Sequence, residues 1–323
     1  MDVYSGKAKD IVKLEKNRVK VVFRNSISAF DGEKMDELEG KGVVNCKTST
    51  KLFNILEQHK IPTHYIENAS DNELICEHVS IIPVEVVCRN IAAGSFCKRY
   101  GLESGLVLDP PVIEFFYKSD PLHDPLVTKE VAIQMGWASV ENIMLMETLT
   151  RTVNHILRKV FDLCSLTLVD FKLEFGLNND EQLLVADEIS ADTMRLWEKE
   201  TKEIMDKDRF RKNMGDVISH FKDIDNRLAK LEDIPLVPFN VIAEISIDLK
   251  DSVLDPAGEI TERTLKRQNF EGIELVRLGK KAKLVFSLPA STDLNVSIKK
   301  ISESILSNPL IENYTFNLKF QPL

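Results

Sequence analysis

The sequence predicts an α+β chain. A two-lobed body spans residues 1–235, with an antiparallel sheet lobe at about 1–85 and a helix-rich lobe at about 86–235, and a small βαββαβ two-layer unit follows over 236–323. Three observations carry this. Residues 168–192, LVDFKLEFGLNNDEQLLVADEISAD, alternate strictly and then turn back, which is the period of a strand and the chemistry of a hairpin. Apolar stripes at helical spacing mark two long helices, one near 41–59 and one near 139–162. Residues 234–239, IPLVPF, place two prolines where neither a helix nor a central strand can continue, and a fresh pattern starts behind them. At 323 residues the chain is long for one core, which agrees with two or three structural units.

Composition narrows the function classes. Apolar residues make up 43% and charged residues 29%, the balance of a soluble globular chain. The net charge of −9 argues against a nucleic-acid binder, which needs a basic face. No run of eighteen apolar residues offers a membrane span, and the N-terminus MDVYSGKAKD lacks the apolar core of a signal peptide. Cys46, Cys76, Cys88, Cys97 and Cys164 are scattered and odd in number, the usage of a reducing cytoplasm. The six histidines form no H-x-x-x-H pair, so zinc is not expected.

Taken in order, residues 4–23 read as two strands around a Lys16-Asn17 turn, with Val19, Val21 and Phe23 alternating. At the strand entrance stand Ser5, Gly6, Lys7, Ala8 and Lys9. Backbone amides and ammonium groups in such a turn can cover phosphates; the plain alternative is an exposed basic turn. It is not a G-x-x-x-x-G-K-[ST] loop. Residues 26–32, SISAFDG, read as a loop carrying Asp31. A helix over 41–59 presents Val44, Leu52, Ile55, Leu56 and His59 inward, with Pro62 past its end. Strands follow at 63–66, 73–77 and 84–88.

The next stretch, Arg89 to Ser95 (RNIAAGS), has small residues that let the backbone approach a ligand. Arg89 and Ser95 could hold a phosphate or carboxylate there, or the segment is a tight strand-to-helix corner with a surface arginine. Residues 109–125 are proline-rich with aromatics and end in His123-Asp124-Pro125. Ser139 caps a helix to about Asp162, striped by Ile143, Met146, Val153, Ile156, Leu157 and Val160. Then comes the alternating hairpin. Asp170, Lys172 and Glu174 share one side of its first strand, and Val169, Phe171, Leu173 and Phe175 the other. Asn178-Asn179-Asp180 turns the chain into the apolar run 183–186, which ends in Asp187-Glu188. A solvated face is the ordinary reading of such charges. Here the second strand is almost wholly apolar, so the hairpin is interior and its charges need partners. Carboxylates this dense repel unless a cation joins them, and Mg²⁺ shared with nucleotide phosphates is the natural candidate. Arg195-Leu196-Trp197, a polar helix through 206–211 and a helix over 217–231 complete the body.

Beyond 239 the pattern gives a strand at 241–249, a helix opened by Asp255-Pro256 and running to about Asn269, strands at 273–278 and 283–288, a helix striped by Leu294, Ile298, Ile301 and Ile305, and a last strand through Tyr314, Phe316, Leu318 and Phe320. No acid cluster sits on these strands, so association rather than chemistry is expected of the unit.

Residues 1 to about 235 resemble the SAICAR synthetase (phosphoribosylaminoimidazole-succinocarboxamide synthase) family over their full length. YSGKAKDIV, SISAFDG, GKGVVNCKTS, IPVEVVCRNIAAGSFCKRYG, HDPLVTKE, VDFKLEFG, DEISADTMRLWEKE and MDKDRFR carry the likeness, in order. The resemblance implies a two-lobed ATP-binding fold, ATP and Mg²⁺ as cofactors, and ligation of the CAIR carboxylate to L-aspartate in purine biosynthesis. It implies that Gly6, Lys7, Ala8 and Lys9 cover phosphates, that Lys172, Glu174 and Asp187 serve phosphate and metal, and that Arg89, Ser95 and Arg195 hold the ribotide. Asp31, His123 and Asp124 fall in family motifs near the substrates. The family often has glycine where Ala186 stands and serine where Met194 stands; neither change touches a charged group. Residues from about 240 resemble the PurS-type small subunit of formylglycinamidine ribonucleotide synthetase, through VLDPAGEI, NFEGIELVRLGK and NPLIENY. That likeness implies a homo-oligomer and a bridge to the large and glutaminase subunits of that enzyme. Two alternatives stand beside this reading: a kinase-like small-molecule phosphotransferase, although the HRD and DFG signatures are missing, and a non-enzymatic scaffold.

Overall fold

The computed structural model describes residues 3–6, 8–29, 32–232, 239–288 and 294–322. The chain divides into two compact units, Met1–Val237 and Pro238–Leu323.

The first unit opens with an antiparallel sheet of order β1-β2-β3-β7-β6: β1 (Val3–Ser5), β2 (Lys9–Lys13), β3 (Arg18–Phe23), β7 (Glu73–Glu77) and β6 (Tyr65–Ser70). Lys16 and Asn17 turn β2 into β3 with φ of 58° and 59°. Val19, Val21 and Phe23 point inward as the alternation requires. One expectation fails here. SISA is not loop: β4 (Ser26–Ala29) pairs with β5 (Lys34–Glu37), Ser26 opposite Glu37. It is four residues long with one large apolar side chain, Ile27, so no run of apolar alternation announced a strand. The helix α1 (Lys41–Gln58) then buries Val44, Leu52, Ile55 and Leu56, as its stripe predicts.

A seven-stranded sheet carries the rest of the unit. Its path is β11-β10-β9-β12-β13, and β14 and β8 also pair with β12. These are β8 (Ser80–Ile81), β9 (Val84–Ile91), β10 (Val107–Tyr117), β11 (Leu126–Val127), β12 (Leu166–Leu177), β13 (Leu183–Ala186) and β14 (Met194–Glu198). The proline-rich stretch is thus largely strand. The register of β10 against β9 jumps between Val107 and Val112, and Pro110 and Pro111, which have no N–H to give, fall inside that jump. The segment around Arg195 is likewise a strand. Short α2 (Gly94–Tyr100) and α3 (Lys129–Gln134) fill corners. In α4 (Val140–Leu163) the Ser139 hydroxyl accepts from the Asn142 N–H at 3.1 Å, the cap read from the sequence.

The polar helix expected through 206–211 shrinks to one turn, α5 (Asp208–Arg211). The Asp206 carboxylate explains the stop: it accepts from the backbone N–H groups of Asp208 and Leu196, both at 2.8 Å, and so closes a turn instead of riding a helix. The last helix of the unit is α6 (Val217–Ala229).

In the second unit β15 (Phe239–Leu249) is the centre of a three-stranded antiparallel sheet, flanked by β16 (Lys280–Leu288) and β17 (Glu312–Pro322). Helices α7 (Pro256–Arg267) and α8 (Leu294–Ile301) complete it, and Ala243, Ile245, Ile247 and Ile298 form its core. Asp255 caps α7 by accepting from the Gly258 N–H at 2.9 Å. The strand expected at 273–278 is absent from the described ladders. Side chains hold this segment: the Leu278 N–H donates to Asp255 at 2.7 Å, and Arg277 donates to the Lys250 and Val253 carbonyls at 2.8 and 3.0 Å. Alternation alone makes no strand where no neighbouring strand pairs with it. The expected linker at 234–239 lies almost wholly outside the described residues.

Candidate active site

Strand β12 is the spine of the site, and its register assigns the charges. Asp170 lies opposite Arg89 of β9 on one side and opposite Arg195 of β14 on the other. Directly opposed residues sit within side-chain reach, and one carboxylate oxygen, Asp170 Oδ2, accepts from Arg89 Nη1 at 3.0 Å and from Arg195 Nη1 at 2.8 Å. Each arginine has a second carboxylate. Arg89 Nε donates to Glu114 at 2.5 Å, and Arg99 pairs with the other oxygen of Glu114. Arg195 Nε donates to Asp208 at 2.9 Å, and Arg211 pairs with Asp208 as well. Burial works against the Arg195 charge, but Asp170 and Asp208 outweigh it and raise its pKa. Four guanidiniums, those of Arg89, Arg99, Arg195 and Arg211, thus face three carboxylates, those of Glu114, Asp170 and Asp208. The surplus positive charge, with forked donors, suits a phosphate or carboxylate ligand.

Gly94 completes this corner. Its φ is +57°, and a Cβ there would stand 2.5 Å from Arg195 Nη2. Only glycine lets the start of α2 rest on that guanidinium. Ser95 follows, exposed, in the first turn of α2.

Farther along the same face of β12 come Lys172 and Glu174. Lys172 Nζ lies 2.8 Å from Glu174 and 2.9 Å from Glu85, and Lys118 also pairs with Glu174. Glu174 is opposite Ala186 of β13, which brings the following residue, Asp187, beside this cluster. Lys9, from the start of β2, pairs with Asp187 and lies 2.9 Å from Glu188. The turn before it is tied down: the Gly6 N–H donates to the Lys9 carbonyl at 2.8 Å, the Arg24 N–H to the Ala8 carbonyl at 2.9 Å, and the Arg24 guanidinium to Asp10 at 2.7 Å. Lys7 and Asp31 lie outside the described residues.

Burial alone would push the Asp187 and Glu174 carboxyls up. For Asp187 the charges of Lys9 and Lys172 win. For Glu174, which Asp187 also pushes up, Lys172 and Lys118 win. Both are held below the usual carboxylate range, so both are ionised at neutral pH. They are close enough for the Asp187 charge to push the Glu174 carboxyl up. Among the described residues no group of three or more His, Cys, Asp or Glu could hold a metal on its own. A pair of ionised hard oxygen donors is nonetheless what Mg²⁺ takes from a protein when phosphates and water complete its shell. The residues fit the ion, and the three lysines fit the phosphates.

The sequence-derived set is therefore partly assembled. Lys9, Lys172, Glu174 and Asp187 converge at one end of the face, with Gly6 and Ala8 in the turn that leads into Lys9, and Arg89 and Arg195 meet at the other, with Ser95 one residue beyond the glycine that packs on Arg195. Asp124 instead closes its own turn, accepting from the Ser119 N–H at 2.7 Å, and reaches the cluster only through its field on Glu85. His123 is exposed in that turn. Sequence reasoning missed Glu85, Lys118 and Glu114 as partners. It placed Asp170 on the charged face but gave it no role.

The SAICAR synthetase family model matches residues 2–228, and that of PurS, phosphoribosylformylglycinamidine (FGAM) synthase, matches residues 242–319. The chain is similar to the phosphoribosylaminoimidazole-succinocarboxamide synthase of Methanocaldococcus jannaschii, 45% identical over 229 residues that span 71% of this chain and 95% of that protein. The Bacillus subtilis enzyme of the same name is 45% identical over 227 residues, 70% of this chain and 94% of that one. A solved structure described as SAICAR synthetase (Type-2) in complex with ADP is 41% identical and superposes with a TM-score of 0.69, covering 70% of this chain and 97% of that one.

Proposed function

We propose that this chain, which belongs to the SAICAR synthetase family and carries a PurS domain behind that part, joins the carboxylate of CAIR to the amine of L-aspartate, giving SAICAR, ADP and phosphate. It is an ATP-dependent carbon–nitrogen ligase of purine biosynthesis. The observation that carries the reading is the division of labour along β12. Asp170 organises two arginines for an anionic substrate, while Lys172 and Glu174, on the same face, belong to a lysine–carboxylate cluster suited to phosphates.

A carboxylate does not react with an amine at neutral pH, because its oxygen is a poor leaving group. Transfer of the γ-phosphoryl group onto that oxygen makes an acyl phosphate, which the aspartate amine attacks with loss of phosphate. The protein's share is positioning and charge neutralisation. Arg89 and Arg195 would fix the ribotide, and Ser95 stands ready to donate beside them. Lys9, Lys118 and Lys172 would turn their ammonium groups to the phosphates. Mg²⁺ held by Glu174 and Asp187 would neutralise phosphate charge as it builds up.

The test is phosphate release from ATP with CAIR alone, with aspartate alone, and with both. Release at the full rate only with both supports the ligase. Stoichiometric transfer to a single acceptor supports a phosphotransferase instead, and no release in any arm supports a scaffold.

The PurS domain gives the chain an association with the FGAM synthetase complex. Our finer reading is that it self-associates and bridges the large and glutaminase subunits of that complex, in the cytoplasm. No described helix is long and apolar enough to cross a membrane. Cutting the chain near residue 235 is expected to leave residues 1–235 with synthetase turnover within about twofold of the whole. Residues 240–323 should then form dimers or larger species on sizing and complement a strain lacking the small subunit. A folded but inactive 1–235, or a monomeric and non-complementing 240–323, would overturn this division.

A further inference from the structure

We propose that His64 is a positioning residue for the synthetase reaction, holding the backbone of Asp187 in the conformation from which its carboxylate serves the nucleotide's cation. The inference rests on the reading of Asp187 given above. Asp187 has φ of +65°, in the left-handed region that aspartate enters more readily than most residues with a Cβ but that its surroundings must still select. The Lys9 ammonium fixes the carboxylate end. The backbone end is fixed by His64, whose Nε2 lies 3.1 Å from the Asp187 carbonyl oxygen. A carbonyl only accepts, so Nε2 carries the proton and donates.

His64 is itself immobilised on several sides. Its N–H donates to the Val185 carbonyl at 2.9 Å, and its own carbonyl accepts from the Glu77 N–H at 2.7 Å. The preceding residue, Thr63, bridges Val185 in parallel, and the Val185 N–H donates to Pro62 at 2.9 Å. The imidazole is 5% exposed and meets the Phe53 ring of α1 edge-on, with centroids 5.5 Å apart. His64 is thus the point where the first sheet, α1 and the end of β13 meet, and its one free donor is spent on the residue after β13. Such support one step behind a metal ligand commonly governs metal affinity by about ten- to a hundredfold.

The test uses the full-length protein and reads ADP binding by calorimetry as Mg²⁺ is titrated in from a chelated start. His64→Phe keeps a ring against Phe53 but has no donor, and His64→Leu removes both. His64→Gln returns an amide donor near the Nε2 position. Asp187→Asn is run beside them. In His64→Phe, and in His64→Leu where that variant folds better, the Mg²⁺ concentration at the binding midpoint should rise about tenfold. Metal-free ADP binding should stay within twofold, and His64→Gln should keep the wild-type midpoint within twofold. A donor-less variant with the wild-type midpoint, while Asp187→Asn shifts it, overturns the role of His64 alone. Equal loss in the Gln and Phe variants, or equal loss with and without metal, overturns it too, since packing and not the donor would then be responsible. An unmoved midpoint in Asp187→Asn overturns the metal reading of Asp187 itself, and the role of His64 falls with it.

Discussion

Asp187→Asn is expected to lower the turnover of SAICAR formation by about a hundredfold to a thousandfold and to raise the Mg²⁺ requirement, with the fold intact. The substitution is isosteric and removes one negative charge. Lys9 keeps a partner, because Glu188 stands 2.9 Å from its ammonium, and Lys172 keeps Glu174 at 2.8 Å and Glu85 at 2.9 Å. No buried cation is stranded, so unfolding is not the expected outcome. What disappears is one of the two ionised oxygen ligands proposed for the metal. Losing several kcal/mol of charge stabilisation at a transferring phosphoryl group corresponds to a rate loss of that order. Turnover, a metal titration and far-UV circular dichroism on the same preparation check it. Wild-type turnover with an unchanged titration would remove Asp187 from the metal site. The pH behaviour has a definite sign. Because the Asp187 and Glu174 carboxyls are lowered in the folded chain, their ion pairs contribute stability above the ordinary carboxylate pKa, and that contribution is lost as the pH falls through the folded values.

The parts of this site that were legible in the sequence are those carried by local periodicity. Alternation along β12 puts Asp170, Lys172 and Glu174 on one face, and a turn signal brings Asp187 back alongside them, so a hairpin and its charged face can be read from one stretch. Helices α1 and α4 were equally plain, one from its stripe and the other also from Ser139. Partners that depend on long-range register were not legible. Nothing near Glu85 or Lys118 says that their strands deliver them to Lys172 and Glu174. The bridge from Arg89 through Asp170 to Arg195 needs two separate pairings of β12, with β9 and with β14, and the sequence reading assigns no strand to the residues of β14. His64 is a lone histidine beside a strand, and only the crossing of Thr63 with Val185 gives it a role. The strands that escaped notice share a physical reason. Strand β4 is four residues long with Ile27 as its one large apolar side chain, and β10 spends two prolines in a register jump, so neither shows the bulky alternation that marks β3 or β12. The opposite error, a strand at 273–278, comes from alternation that finds no neighbour to pair with.

Arg195→Lys should raise the KM for CAIR about a hundredfold while leaving the KM for ATP within about twofold. Arg195 joins two carboxylates with different nitrogens, Nη1 to Asp170 at 2.8 Å and Nε to Asp208 at 2.9 Å. A lysine ammonium is a single point on a flexible stem and cannot reproduce that fork. Asp208 would keep Arg211 and Asp170 would keep Arg89, so the network should survive in reduced form. The face turned to the substrate should not. The Arg195 guanidinium lies so close to Gly94 that no side chain fits between them, and this contact seats the start of α2, from which Ser95 would reach the same ligand. Removing the planar group therefore loses a donor and loosens the neighbouring one. Truncating one member of a buried, hydrogen-bonded charge set typically costs about 2–5 kcal/mol, and a hundredfold lies within that range. ATP should be indifferent, because its proposed contacts come from Lys9, Lys118, Lys172, Glu174 and Asp187, none of which pairs with Arg195 among the described ion pairs. Steady-state kinetics with each substrate varied in turn decide the matter. A raised KM for ATP with CAIR unaffected would move Arg195 to the nucleotide end of β12, and the assignment of the arginine pair to the ribotide would have to be given up.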